Sequence, residues 1–229
     1  MKLFRILLAL VLVVLIGLAF LWIKVPDLVA KQLSKQMQVE VKIGDIALSA
    51  HSIGVKNLEI GNPKNSILPK AYSAGSIEVK ASLSNYLKDP IVIDELQINQ
   101  IYVGLEFASP ISPSGNWSTI LENMKKSAPV SKKKEARSVL IKKLILTDIR
   151  SDLIFTQQGG KVQNLLPIDR LELNNVSSEA GVSLDQIARV ILEQTLNALL
   201  KKQSLQSMIE NVIQSPTGTW EKFKELIPK

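Results

Sequence analysis

Hydrophobic and polar positions along the chain sort it into three kinds of segment. Ile6–Ile23 is an 18-residue run without charge, interrupted only by Gly17. From residue 39 the pattern changes to short alternating stretches, the period of a strand with one buried face. After Gly181 the apolar positions recur every three or four residues, as on an amphipathic helix.

In the alternating region a single pattern occurs four times. Ile53, Val55, Leu58 and Ile60 flank the polar pair Lys56-Asn57, and Ile91, Ile93, Leu96 and Ile98 flank Asp94-Glu95. Val139, Ile141, Leu144 and Leu146 flank Lys142-Lys143, and Leu166, Ile168, Leu171 and Leu173 flank Asp169-Arg170. Successive copies are offset by 38, 48 and 27 residues, so no fixed-period solenoid is expected. The copies read as strands of one sheet with variable excursions between them.

Each copy changes phase across its polar pair, which would put the two halves of a regular strand on opposite faces. A bulge or kink could keep one wall apolar, or the strand could bury both faces. Val39–Ile43, Ile46–Leu48, Ser76–Val79 and Tyr102–Phe107 also alternate and are rich in strand formers. Roughly ten strands at about 4.8 Å spacing predict a sheet about 50 Å across. Gly159-Gly160 reads as a hairpin turn.

Helices are expected at Asp27–Met37, Ser118–Met124 and beyond Gly181, where Ser183 and Gln186 have capping-box spacing. Leu184, Ile187, Ala188, Ile191, Thr195, Ala198 and Leu199 form one stripe of that last helix. Leu205, Met208, Ile209, Val212 and Ile213 form a second run, and Trp220, Phe223 and Leu226 a third. The organisation predicted is an anchor at 1–25, an interfacial helix at 26–38 and a first β-rich half at 39–121. A basic linker follows at 122–138, then a second β-rich half at 139–181 and amphipathic C-terminal helices at 182–229.

The apolar run would span about 27 Å as a helix, close to the thickness of a bilayer's hydrocarbon core. Its end carries bulky residues where a signal peptidase needs small ones, so it is expected to remain attached. Ile6, Leu12, Leu15, Leu18 and Trp22 are the anchor residues, with Trp22 and Lys24 suited to the interface. Long domains translocate largely regardless of charge, which favours the N-terminus inside and the body exported. Leu28, Val29 and Leu33 follow at near-helical spacing and suggest a helix lying along the membrane surface.

A net charge of +7 raises the question of nucleic acid. The residues between Glu122 and Arg137 supply +4 of it, with six bases against two acids and no aromatic side chain near the lysines to stack a base. That stretch reads as a solvated linker or, failing that, a contact with anionic lipid. The chain has no cysteine. The single histidine, His51, sits in a turn-like segment; no metal-ligand spacing, Walker loop or nucleophile elbow occurs. Asp94 and Asp169 hold equivalent positions in two copies, but the other copies carry lysine there, so solvent-facing strand polarity is expected. Trp117 reads as a hydrophobic plug for the helix after it. No catalytic residue, cofactor or metal is expected.

Several of these stretches resemble the AsmA-like family of Gram-negative envelope proteins. They are Val41–Leu48, Val55–Pro63, Ala74–Leu83, Ile91–Ile98 and Gly115–Leu121, preceded by an anchor and followed by a second strand group and an amphipathic helix. The resemblance implies bacterial inner-membrane attachment and a periplasmic α+β body: a curved, antiparallel-rich sheet with an apolar groove. It also implies a role in lipid handling and outer-membrane maintenance, as for the large AsmA and TamB proteins. Lipid-groove candidates are Ile93, Leu96, Ile98, Ile141, Leu144 and Leu146, with Ile168, Leu171 and Leu173 from the fourth copy. Phospholipid acyl chains are one expected partner class. The alternative is a non-catalytic envelope scaffold whose sheet face or C-terminal helices bind a protein partner.

Overall fold

The computed structural model describes residues 24–49, 51–82, 84–85, 89–109, 114–127, 139–177 and 184–202. The apolar run Ile6–Ile23 lies outside them, as do the linker's 128–138 and the two helical runs beyond 202. Among the described residues, no helix is long and apolar enough to cross a membrane. They form an α+β fold: a mostly antiparallel sheet of nine strands and a few helices.

Residues 24–37 are helical (α1). The strands are β1 (Val41–Lys42), β2 (Asp45–Leu48), β3 (Ser52–Ile60), β4 (Tyr72–Lys80), β5 (Ile91–Ile93) and β6 (Glu95–Phe107). Helix α2 (Asn116–Ser127) follows, then β7 (Val139–Phe155), β8 (Gln163–Asn164), β9 (Ile168–Ser177) and helix α3 (Leu184–Lys202). Strands from both sides of the basic stretch lie in one sheet, because β5 and β6 pair with β7 in parallel. The remaining pairings are antiparallel. The β5/β6–β7 register, Ile91 to Val139 and Leu96 to Leu144, equals the 48-residue offset between the second and third sequence copies. Those two copies therefore lie side by side.

Three pairs of strands share a line. β1 and β2 both pair with one edge of β3, β5 and β6 flank one edge of β7, and β8 and β9 its other edge. The sheet is thus six strands across, about 29 Å by the same count, about six-tenths of what ten alternating stretches predict.

The helices also depart from expectation. α2 runs through Ser127, taking Glu122–Ser127 out of the linker; Lys126 pairs with Glu122 at 2.8 Å, one turn apart. In α1, Leu28 and Leu33 do not share a face. Leu33 packs on the core with buried Ala30 and Met37, whereas Leu28 is 61% exposed. In α3, Ile191, Thr195 and Leu199 of the expected stripe face the core, joined by Leu192, Leu196 and Leu200, while the side chains of Leu184, Ile187 and Ala188 lie outside the described ones.

Candidate functional site: an apolar wall with a reset phase

The wall is built by one rule applied on strand after strand. On β6 the members of the buried apolar cluster are Leu96 and Ile98, then Ile101, Val103, Leu105 and Phe107. On β7 the members of that cluster are Val139 and Ile141, then Leu144 and Leu146, then Ile149 and Leu153, while Ile145 and Ile154 are buried outside it. Alternation holds within each group, and each change of group skips two residues in place of one. β9 repeats this with Ile168, then Leu171 and Leu173, then Val176, all within or against the same buried cluster.

Four of the skipped pairs, one on each of β3, β6, β7 and β9, contain a left-handed residue. Asn57, Gln100, Asp148 and Asn175 have φ of 53°, 55°, 50° and 55°. A left-handed residue turns the strand about its axis, so the next apolar side chain returns to the side it would have left. Register is conserved on either side, so neither partner carries an extra residue and these are not ordinary bulges.

Two seams result. The longer one crosses the sheet through Asn57, Gly75, Gln100, Asp148 and Asp169, each opposite the next where the regular pairing skips a step. Gly75 leaves room for Gln100: an added Cβ would lie 3.0 Å from that of Gln100 and would make its side-chain amide move aside. The adjacent row is tied by polar side chains. Asn99 donates to Ser76 Oγ at 3.0 Å and accepts from the Thr147 hydroxyl at 2.6 Å. The shorter seam lies at Asp94, Lys142 and Asn175, where Lys142 pairs with Asp94 at 2.7 Å. Beside it, Lys80 pairs with Glu95 at 2.9 Å and Lys143 with Glu172 at 3.0 Å. Arg170 and then Lys143 hold the Glu172 carboxyl below the usual carboxylate range.

Every lipid-groove candidate falls on this one wall. Ile93, Leu96, Ile98, Ile141, Leu144, Leu146 and Ile168 are buried in a single cluster, and Leu171 and Leu173 pack against it. The wall is closed over. Trp117, Ile120, Leu121 and Met124 of α2 and Leu192, Leu196, Leu199 and Leu200 of α3 belong to the same cluster. Sequence reasoning missed Ile101, Val103, Leu105, Ile149 and Val176 as wall members. Their signal was the second three-residue gap: Ile98 to Ile101, Leu146 to Ile149, Leu173 to Val176.

Trp117 is a plug, and it is also tethered: its indole N–H donates to the Gly104 carbonyl at 2.9 Å and its ring meets Tyr72 edge-on at 6.4 Å. Burial pushes the Tyr72 phenol up. Beside it Asn116 accepts from the Glu106 backbone N–H and donates to Asn62 and to the Gly104 carbonyl. The buried Glu106 carboxylate accepts from the Ile67 and Leu68 backbone N–H groups at 2.9 and 2.8 Å. The cluster clamps loop 61–71 and the start of α2 to β6, where Gly115 passes too close to the Glu106 carbonyl for a side chain.

The remaining candidates are apart. His51 is exposed in the β2–β3 turn. Asp94 sits on the shorter seam and Asp169 on the longer, both exposed, so they do not form a carboxylate pair. Among the described residues, no group of three or more His, Cys, Asp or Glu side chains is placed to hold a metal ion. Compared with protein-family models, curated proteins and solved structures, the chain matches none.

Proposed function

We propose that this is a non-catalytic inner-membrane protein, anchored by Ile6–Ile23 with its body in the periplasm, that handles lipid acyl chains on its apolar wall. The single observation carrying this reading is the repeated phase reset. It keeps Ile93, Leu96, Ile98, Ile141, Leu144, Leu146, Ile168, Leu171 and Leu173 in or against one buried cluster, and left-handed backbone at Gln100, Asp148 and Asn175 carries that wall on to Ile101, Ile149 and Val176. In this reading the aligned seams bend neighbouring strands at one level and curve the wall into a groove, in line with the AsmA-like resemblance.

α3 is the removable part of the cover. Its four buried leucines contribute about 6–12 kcal/mol, and an acyl chain of about fifteen methylenes would contribute about 12 kcal/mol on the same surface. The two are close enough for exchange. The test is native mass spectrometry of the body from Lys24 onward, which keeps Met37 and Val39 in the core, exported and purified without detergent. Stoichiometric phospholipid is the expected result; a clean unliganded mass at high yield rejects lipid handling.

A second reading has its own support: the wall is already filled by α2 and α3. An envelope scaffold or adaptor needs no lipid, and would present other surfaces to a protein partner. The clean mass described above, with a protein cross-linked in cells, is the outcome that selects it.

A further inference from the structure

Helix α1 has two unlike faces. Ala30, Gln36 and Met37 are buried and Leu33 packs on the core, so one face belongs to the body. The Asn123 side chain donates to the Met37 carbonyl at 3.1 Å, and Ser34 Oγ accepts from the Val41 N–H at 2.8 Å, which fixes the helix end to α2 and β1. On the far side Lys24, Leu28, Lys31 and Lys35 are exposed. Their spacing of four, three and four residues puts them on one stripe. Asp27 is the only acid in 24–37 and lies 3.9 Å from Lys24, so the stripe stays net positive around an exposed aliphatic side chain.

We infer that this stripe docks on anionic phospholipid headgroups, so that α1 is held between the body and the membrane surface. The inference deepens the proposed function and rests on its reading of Ile6–Ile23 as a membrane anchor. That run ends at the residue before Lys24, so the bilayer interface would lie about one helical turn from Leu28. The chemistry fits a lipid surface. A leucine can enter the headgroup boundary while flanking lysines lay their methylenes on it and reach up to phosphates. The body-facing side is already occupied, so docking uses the stripe and leaves the core intact.

The chain has no cysteine, so single cysteines can be labelled with a nitroxide in the full-length protein. Leu28→Cys and Leu15→Cys are reconstituted into phosphatidylcholine vesicles, with and without about one lipid in three as phosphatidylglycerol. Accessibility to an apolar and an aqueous relaxation agent is then compared. The label at 28 is expected to move from water into the headgroup boundary when phosphatidylglycerol is present. Lys31→Glu with Lys35→Glu should reverse that shift, the docked population falling about five-fold or more for each lysine changed. A label at 28 that stays aqueous in both vesicles, while the label at 15 is in hydrocarbon, overturns the inference and leaves the anchor standing. Equal immersion in both vesicles, untouched by the lysine changes, overturns the headgroup claim in favour of apolar contact alone. An aqueous label at 15 overturns the anchor reading and this inference with it.

Discussion

The two seams achieve one result by different means. The longer seam is carried by backbone: Asn57, Gln100 and Asp148 are left-handed on β3, β6 and β7, and Gly75 admits Gln100 between them. The shorter seam has one left-handed residue, Asn175, a break in the strand at Asp94 and a set of exposed and half-buried ion pairs around it. Asparagine and aspartate tolerate the left-handed region, glutamine less so. Conformational demand is therefore greatest where the seam crosses the middle of the sheet, and charge suffices near the end of its paired strands. A sheet can reset its side-chain phase without inserting a residue, provided that neighbouring strands do so in the same row.

The comparison can be broken first between the seams, where Leu144 is fully buried. Leu144→Ala should cost about 3 kcal/mol in denaturant unfolding, because both resets aim a side chain at that space. Gly75→Ala comes next at about 2 kcal/mol, through overlap with Gln100. Gln100→Gly should restore most of that loss, and a double-mutant cycle should read a coupling of about 1 kcal/mol or more; strict additivity would mean the two residues do not constrain each other.

At the shorter seam, Asp94→Ala should cost only about 0.5 kcal/mol and less in high salt, since its pair with Lys142 is exposed. A loss as large as that of Gly75→Ala would erase the distinction between the seams. The smallest effect expected is on acid stability. Glu172 has a folded pKa below its unfolded one, so its contribution is complete above the ordinary carboxylate range and lost as pH falls through the folded value. Glu172→Gln should flatten that region of the stability–pH curve and leave the alkaline side unchanged.

Much of the sheet was legible because alternation is local. The four copies fall on strands, except that Asp94 breaks the second between β5 and β6 and Leu166 of the fourth lies before β9, exposed. The 48-residue offset between two of them is the parallel register itself. Width was not legible. The copy Ile91–Ile98 did put β5 on one line with the start of β6, but nothing in Tyr102–Phe107 says that it continues that strand, or in Ile46–Leu48 that it shares a line with β1. Collinearity is a tertiary property. The first copy's polar pair marked the longer seam on β3, but Asn99-Gln100 and Thr147-Asp148 each lie just past the end of a copy, where the repeated pattern stops. The periodicity of α1 and α3 announced apolar faces without naming their partners. Leu28 and Leu33 were therefore grouped though they point apart, and the closure of the wall by Leu196 and Leu200 could not be foreseen. The Asn62–Glu106–Asn116 clamp joins positions up to 54 residues apart, beyond any local pattern.

The parallel pairing of β6 with β7 also sets an order of assembly. β3 with β4 and β7 with β9 are near neighbours in the chain and can form soon after each is synthesised. The central pair must instead close across 48 residues, a slower event by loop entropy. As the chain emerges, β6 presents a 13-residue edge and its half of the apolar wall before β7 exists. For that interval the nascent protein is a sheet with an open side, the state in which a chaperone or a neighbouring copy would find it.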